Sequence, residues 1–309
     1  MRFVRQLVFF CTIVLPLSTF APFRRPEISG VALVRLRVSN IEASRHFYHD
    51  TLGLYPLTQG CFNPPGAATC YHINSAQQIE IFLSPGTIEP NALETIGFLA
   101  DAAAMRSYLL GAGVKCSQVM DGNSGFKFLE TSDPEGHRVL FISSRGIVAS
   151  LLGYPGDSHL IHAGFVVHDR AAEDRFYKDI LGFHVYWHGG MKDDETNWVD
   201  MQVPDGTDWL EYMLNVPATT DHHTLGVMNH IALGVPDIHA AEKQLRANGW
   251  TGTEQPKIGR DGKWQLNIYD PDLTRVEFME FTPVQKPCCS EFTGPHPGPQ
   301  PPSKAPAKP

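Results

Sequence analysis

Basic residues are fewer than acidic ones in this chain. The 309 residues include 25 Lys and Arg against 33 Asp and Glu, which gives a formal net charge of −8. Proteins that bind nucleic acid usually carry a basic patch or stripe, so this composition gives no support to a nucleic-acid partner. Hydrophobic residues make up 42% and charged residues 19%, which is ordinary for a soluble globular protein. The length fits two domains.

Long apolar runs are missing, with one exception at the N-terminus. After residue 21 the sequence has no stretch long enough to cross a membrane as a helix. Arg2 and Arg5 precede an apolar run at 7–17, and small residues follow it. This order is typical of a secretory signal. Residues 1–21 are therefore predicted to be a signal peptide, with an N-terminal anchor as the alternative, and the protein is predicted to be exported, either periplasmic or secreted.

Cysteine is sparse, at six residues. Cys61 and Cys70 flank an Asn-Pro-Pro-Gly turn, so we predict a disulfide between them if the protein is exported. Cys116 is predicted to be an isolated buried thiol. Cys288 and Cys289 are adjacent, and adjacent cysteines can hardly close a relaxed disulfide, so we expect inert thiols. The Pro-rich segment 285–309 is predicted to be a disordered tail.

Two His–Glu pairs at matching spacings are the most informative feature. His162 precedes Glu211 by 49 residues, and His230 precedes Glu277 by 47. Each lies in an alternating apolar run, the pattern of a strand with one buried face. One such pair would more often be a core His and a solvent-facing Glu. Two pairs in register instead predict one shared divalent metal ion, with Fe, Zn, Ni, Mn and Co all compatible.

Internal similarity organises the rest of the chain. Segment 44–54 matches 173–183, since both contain Phe-Tyr followed by Leu-Gly, and segment 105–114 matches 241–250. The turns Asp133-Pro134 and Asp270-Pro271 precede matching strands. The sequence therefore predicts four βαβββ modules, at about 30–87, 92–144, 160–217 and 228–283.

These features resemble the vicinal oxygen chelate superfamily, the glyoxalase, bleomycin resistance and extradiol dioxygenase type. The resemblance rests on the modules, on Asn-His-Ile-Ala-Leu-Gly-Val from Asn229, and on Asp-Pro-Asp with Arg-Val-Glu-Phe at 270–278. It implies an α+β fold with two glyoxalase-like domains of cupped mixed sheets, at 28–145 and 159–284. It places His162, Glu211, His230 and Glu277 at metal-ligand positions and implies a small-molecule substrate with vicinal oxygens.

Aligning the two halves tests the N-terminal domain for the same ligands. Leu33 falls opposite His162, Glu80 opposite Glu211, Glu94 opposite His230, and Leu140 opposite Glu277. Leu cannot bind a metal, so we predict that this domain has lost its site. We expect the remaining carboxylates to repel, with one raising its pKa, or to lie at a wet mouth.

The resemblance leaves two enzyme types open. Four ligands resemble glyoxalase I, a lyase or isomerase in which a displaced Glu, here Glu211, moves a proton. Three of them, His162, His230 and Glu277, form the triad typical of non-heme iron oxygenases. His222-His223-Thr224 resembles a segment of extradiol dioxygenases, which makes His223 a candidate proton carrier, with a solvated loop His as the alternative.

Other positions weigh on the choice between enzyme types. The position at which dioxygenases have a Tyr is Asn267 in this chain. The position at which they have a preceding His falls at Lys263 or Trp264. A non-catalytic binding protein of the same fold is the alternative to an enzyme. Aromatic residues are predicted to line a pocket or, as the safer interpretation, to pack the core; they are Trp198, Trp209, Tyr212 and Trp264.

Overall fold

The computed structural model describes residues 24–57, 68–84, 92–122, 125–143 and 158–299. The predicted signal segment, Cys61 and residues 300–309 lie outside these ranges. Within them, no helix is both long enough and apolar enough to cross a membrane.

In the first half of the chain, the described residues form eight strands and two helices. The strands are β1 Ile28–Val38, β2 Tyr55–Pro56, β3 Ala68–His72, β4 Gln78–Leu83, β5 Leu93–Ala100, β6 Met120–Asp121, β7 Lys127–Ser132 and β8 Arg138–Ser143. Helix α1, Ile41–Arg45, continues as a π-helix over His46–Thr51, and α2 spans Ala102–Gly111. Asn40 and Asp101 cap the two helices by accepting hydrogen bonds from first-turn amides.

The second half repeats this order with one additional helix. Its strands are β9 His159–Val166, β10 His184–Gly189, β11 Trp198–Gln202, β12 Trp209–Met213, β13 His230–Val235, β14 Lys257–Ile258, β15 Trp264–Tyr269 and β16 Arg275–Glu280. Helix α3, Arg170–Glu173, continues as a π-helix over Asp174–Ile180, and α4 His222–Met228 and α5 Ile238–Ala247 follow.

Each half forms one eight-stranded mixed sheet. The strand orders are β2-β3-β4-β1-β5-β8-β7-β6 and β10-β11-β12-β9-β13-β16-β15-β14. At the centre, β1 and β5 are antiparallel, as are β9 and β13, and each of these strands has a parallel neighbour on its other side. The predicted α+β class with two glyoxalase-like sheets is confirmed.

The two halves share one apolar core and a pair of reciprocal polar contacts. Buried side chains from both sheets form a single cluster. The hydroxyl of Tyr48 donates to Asp270, at 3.1 Å, and the hydroxyl of Tyr177 donates to Asp133, at 3.0 Å. Each half therefore places the Tyr of its first helix against the Asp-Pro turn of the other half, which ties the two sheets together.

The predicted disordered tail is wrong for residues 285–299. The amide of Thr293 donates to the carbonyl of Tyr186 on β10, at 3.0 Å, and Gln202 donates to the carbonyl of Pro295, at 2.9 Å. The ring of Phe292 packs against Tyr186, with centroids 4.8 Å apart. Composition suggested disorder, but β10 offers unpaired backbone groups and an apolar face that hold this segment.

The cysteines differ from expectation at one place. Cys288 and Cys289 are joined in a disulfide, with Cα atoms 3.7 Å apart, so the expectation of inert thiols is wrong. Cys289 has a φ of 75°, which is in the left-handed region. The expectation for adjacent cysteines did not include this backbone conformation. Cys116 is free and half-buried. Cys70 is disulfide-bonded, and its predicted pairing with Cys61 stays a prediction because Cys61 lies outside the described residues.

Candidate metal centre

Two rows of residues cross the second sheet and bring the four predicted ligands together. In one row Asp200, Glu211, Gly164 and His230 are neighbours on β11, β12, β9 and β13. In the other, Trp209, His162, Ala232, Glu277 and Asn267 are neighbours on β12, β9, β13, β16 and β15. His162 and Gly164 lie two apart on β9, so both rows face the same side. We call this face the C-terminal cup.

The four donor atoms surround one point. Nε2 of His230 lies 2.9 Å from Oε2 of Glu211 and 3.0 Å from Nε2 of His162. The other pairs of a His with Glu211 or Glu277 are 3.6–3.7 Å apart, and all four atoms lie within 4.8 Å of one another. Bonds of roughly 2.1 Å to one cation put neighbouring donors about 3.0–3.4 Å apart. The quartet therefore fits a divalent metal.

Gly164 makes room for this arrangement. A Cβ at this position would lie 2.0 Å from Cε1 and 2.4 Å from Nδ1 of His230. The imidazole of His230 therefore occupies the volume that a side chain at residue 164 would fill.

Burial sets the protonation of the quartet. It lowers the pKa of both His162 and His230 well below the usual range, so both imidazoles are neutral and offer lone pairs. Burial also raises the pKa of Glu211 and of Glu277 to about 7. Two facing carboxylates in an apolar cup are costly without a cation, and a divalent ion removes that cost.

Hydrogen bonding orients His230 for a metal. Its Nδ1 lies 2.8 Å from the carbonyl oxygen of Met228, which only accepts, so Nδ1 carries the proton and Nε2 is left for the metal. The ring of His162 packs on Trp209, with centroids 4.7 Å apart.

A cavity of about 430 Å³ opens above the quartet. Its walls are largely aromatic rings and thioethers, from Trp187, Trp198, Trp209, Met191, Met213, Met228 and Met279. The polar lining comes from Asp200, Asp261, Gln265, Asn267, Lys257, Arg260 and Arg275. Such a cavity suits a small molecule with an apolar body whose polar end reaches the quartet.

The structure separates the remaining predicted site residues. His223 is exposed on α4 and does not line the cavity, and its ring is tilted against that of Tyr269 with centroids 6.1 Å apart. This position does not support its predicted catalytic role. Trp198 and Trp209 line the cavity, whereas Tyr212 and Trp264 pack in the core.

Sequence reasoning missed two polar residues of the cavity. Arg275 lies two positions before Glu277, and Asp200 is the neighbour of Glu211 on β11. The alternation of the strand Arg-Val-Glu would have placed Arg275 on the ligand face. No comparable signal existed for Asp200, because strand pairing cannot be seen in the sequence.

The equivalent face of the first sheet, the N-terminal cup, corrects one aligned position. Gly164 pairs with Glu211 and His230, and its counterpart Arg35 pairs with Glu80 and Thr95. Thr95, not Glu94, therefore stands opposite His230. The pairing of β1 with β5 is irregular, and a shift of one residue turns a side chain to the other face.

Arg35 supplies the positive charge of the N-terminal cup. Its Nε lies 3.1 Å from Glu80 and its Nη1 3.3 Å from Glu94. Glu80 is fully buried. The expectation of unpaired, repelling carboxylates at a wet mouth is therefore wrong, because a guanidinium from the neighbouring strand binds both.

Comparison with known proteins gives this fold and site a class. Residues 159–278 match the family model described as Glyoxalase/Bleomycin resistance protein/Dioxygenase superfamily. The chain is also 27% identical over 123 residues to a lactoylglutathione lyase of Haemophilus influenzae, covering 39% of this chain and 91% of that protein. Residues 159–278 are thus similar in sequence to that superfamily.

Solved structures show the likeness of fold across both sheets. Homoprotocatechuate 2,3-dioxygenase from Brevibacterium fuscum, in complex with 3,4-dihydroxyphenylacetate, superposes with a TM-score of 0.60 at 20% identity, covering 88% of this chain and 83% of that one. The homoprotocatechuate 2,3-dioxygenase of Arthrobacter globiformis gives 0.58 at 18% identity, covering 85% and 84%.

Proposed function

We propose that this protein is a metal-dependent enzyme of the lyase or isomerase type, acting on a small substrate with vicinal oxygens. The observation that carries the proposal is the convergence of four donor atoms within 4.8 Å, from His162, Glu211, His230 and Glu277. A set of two imidazoles and two carboxylates suits a divalent cation, which polarises a substrate oxygen and makes a proton on the adjacent carbon easier to remove.

Glu211 is the residue that we assign to proton transfer. Its side chain is 14% exposed, against 3% for Glu277, so it is the carboxylate that substrate reaches more easily. Burial raises the pKa of this carboxyl to about 7 when no metal is bound, and a Glu211 carboxylate displaced from the metal by substrate would be available to accept a proton. The Met and Trp walls hold the substrate body and exclude water.

A ring-cleaving dioxygenase is the second candidate. The fold likeness to homoprotocatechuate 2,3-dioxygenases over both sheets favours it. Against it, His223 lies outside the cavity and Asn267 occupies the position expected for a Tyr.

Metal identification with two assays tests the proposal. Purified protein is analysed for bound metal, incubated with hydroxyacetone in heavy water, and separately tested for oxygen uptake on a catechol panel. We expect the protein to contain a divalent metal and to incorporate deuterium at the carbon next to the carbonyl, as seen by NMR. The Glu211→Gln variant should no longer incorporate deuterium. Ferrous iron with oxygen uptake would support the dioxygenase instead. Protein with no affinity for any divalent ion would indicate a non-catalytic binding protein.

A further inference from the structure

Arg275 points a guanidinium at the quartet without hydrogen-bonding to it. It lies on β16 two residues before Glu277, so both side chains face the cup. Its terminal nitrogens lie 4.0 Å from Oε2 of Glu211 and 3.9 Å from Oε2 of Glu277, beyond hydrogen-bond distance. The side chain is 13% exposed, and among the described residues its buried Nε has no hydrogen-bond partner.

The N-terminal half shows what such an Arg does when it has a structural partner. Arg138, the counterpart of Arg275, forms a hydrogen-bonded ion pair with Glu130 on β7. Glu130 pairs in register with Leu140, as Asn267 pairs with Glu277. Asn267 therefore stands at the position of Glu130, and its buried Oδ1 lacks a partner among the described residues. The C-terminal cup has lost the carboxylate that would engage Arg275.

The other cationic residues of the cavity have different surroundings. Arg260 donates to the carbonyl of Gly190, at 3.2 Å, and pairs with Asp193. Lys257 is exposed on the short edge strand β14. Of the three cations that line the cavity, Arg275 is the one whose terminal nitrogens lie within 4.0 Å of Glu211 and Glu277.

The guanidinium of Arg275 is left without a counter-ion of its own once a metal is bound. The carboxylates of Glu211 and Glu277 would then balance the divalent cation, and neither is within hydrogen-bond distance of Arg275. An anionic group of the ligand would offset the charge of this guanidinium, which is costly if left alone. Asp261 and Lys263 are buried side by side and offset each other.

We propose that Arg275, with Asn267 beside it, binds a negatively charged oxygen of the substrate, so that the enzyme selects vicinal-oxygen compounds that bind with one negative charge. The inference rests on the proposed function, because the metal supplies the other half of the subsite. A guanidinium presents several donors in a fixed plane and suits an oxyanion, and the Asn267 amide offers a neighbouring hydrogen bond.

Two small probes separate charge recognition from general support of the site. Acetohydroxamic acid has two vicinal oxygens and loses a proton on chelation, whereas hydroxyacetone stays neutral. Calorimetry on metal-loaded protein measures both affinities in wild type and Arg275→Gln. We expect acetohydroxamate to bind about tenfold to a hundredfold more weakly in the variant, with hydroxyacetone changed by less than about threefold, so that the ratio of affinities falls.

Arg138→Gln is the matched control, since it removes the counterpart guanidinium from the other half, and it should leave the ratio unchanged. Arg275→Lys keeps a charge without the fork and should give an intermediate ratio. An unchanged ratio in Arg275→Gln, or loss of metal from that variant, would overturn the inference while the proposed function stands. Wild-type protein that binds metal but neither probe would instead count against the proposed function.

Discussion

The two cups of this molecule hold buried carboxylates with different cations. In the N-terminal cup the cation is the guanidinium of Arg35, bound to Glu80 and Glu94. In the C-terminal cup the same strand position is Gly164, and the imidazole of His230 fills the space above it. At this position the first sheet carries a built-in positive charge, whereas the second sheet leaves room for the imidazole of a proposed metal ligand.

The two cups carry different residues on the same fold. Both sheets keep the same strand order, and Glu80 keeps the register position of Glu211. Leu33, Leu140 and Thr95 replace the other three ligands. In the N-terminal cup the partner of the remaining carboxylate, Glu80, is the buried guanidinium of Arg35. A buried carboxylate left without such a partner would be costly.

Gly164→Ala should have the largest effect, because a Cβ would lie 2.0 Å from the ring of His230 and force it out of the quartet. We expect metal affinity to fall by about a hundredfold or more, similar to direct ligand removal in His230→Ala. Elemental analysis after dialysis against a metal buffer measures it. Near-stoichiometric metal in either variant would contradict the assigned site.

Arg35→Met should break the N-terminal cup and spare the C-terminal one. Removing one partner of a buried ion pair leaves Glu80 uncompensated and destabilises proteins by about 3–5 kcal/mol. We expect a loss of that order in the free energy of unfolding, measured by urea denaturation, with metal content unchanged. A loss below about 1 kcal/mol would show that Arg35 is not the partner that Glu80 requires.

Glu173 should give the halves different responses to pH. Glu173 is fully buried, and the residue at the equivalent position of the first half is Ser44, which does not titrate. Burial raises the pKa of Glu173 to about 9, and the nearby charge of Asp133 adds to the shift. An acid with a raised folded-state pKa is fully stabilised below its unfolded value, near 4.5, and loses stability as pH rises towards 9.

The Glu173→Gln variant removes this titration while keeping the shape of the side chain. Between pH 5 and 9, we expect the free energy of unfolding of wild type to fall more steeply than that of the variant, by at most about 1.4 kcal/mol per pH unit. Parallel curves from denaturation at several pH values would refute the role of Glu173.

His223→Ala should have the smallest effect. His223 is exposed on α4 and lies outside the cavity lining, so we expect metal content and turnover to stay within about twofold of wild type, as for ordinary surface substitutions. A large loss of turnover with full metal content would place His223 back in the reaction.

The sequence predicted the class of fold and four residues whose donor atoms the structure places together, because alternating apolar residues form strands with one buried face. It failed where pairing between strands decides the outcome. Thr95 rather than Glu94 stands at the register position of His230 because of irregular pairing between β1 and β5. The roles of Arg35 and Gly164 depend on which neighbours the register gives them, and no single segment contains that information.

The C-terminal segment was misjudged for a related reason. Its Pro-rich composition predicted disorder, but composition does not reveal that the edge strand β10 offers hydrogen-bonding groups and an apolar face to this segment. The vicinal disulfide at Cys288 lies at the start of this same segment.

The C-terminal segment 285–299, which packs along β10, affects whether copies of this protein can associate through their sheet edges. β10 is the outermost strand of the second sheet, and an uncovered outer strand is a template on which another chain can pair and aggregate. Thr293 and Ser290 satisfy backbone groups of Tyr186 and His188 along this edge. Residues 290–293 therefore protect this edge against edge-to-edge association, and a chain cut before them would expose a free sheet edge to solvent.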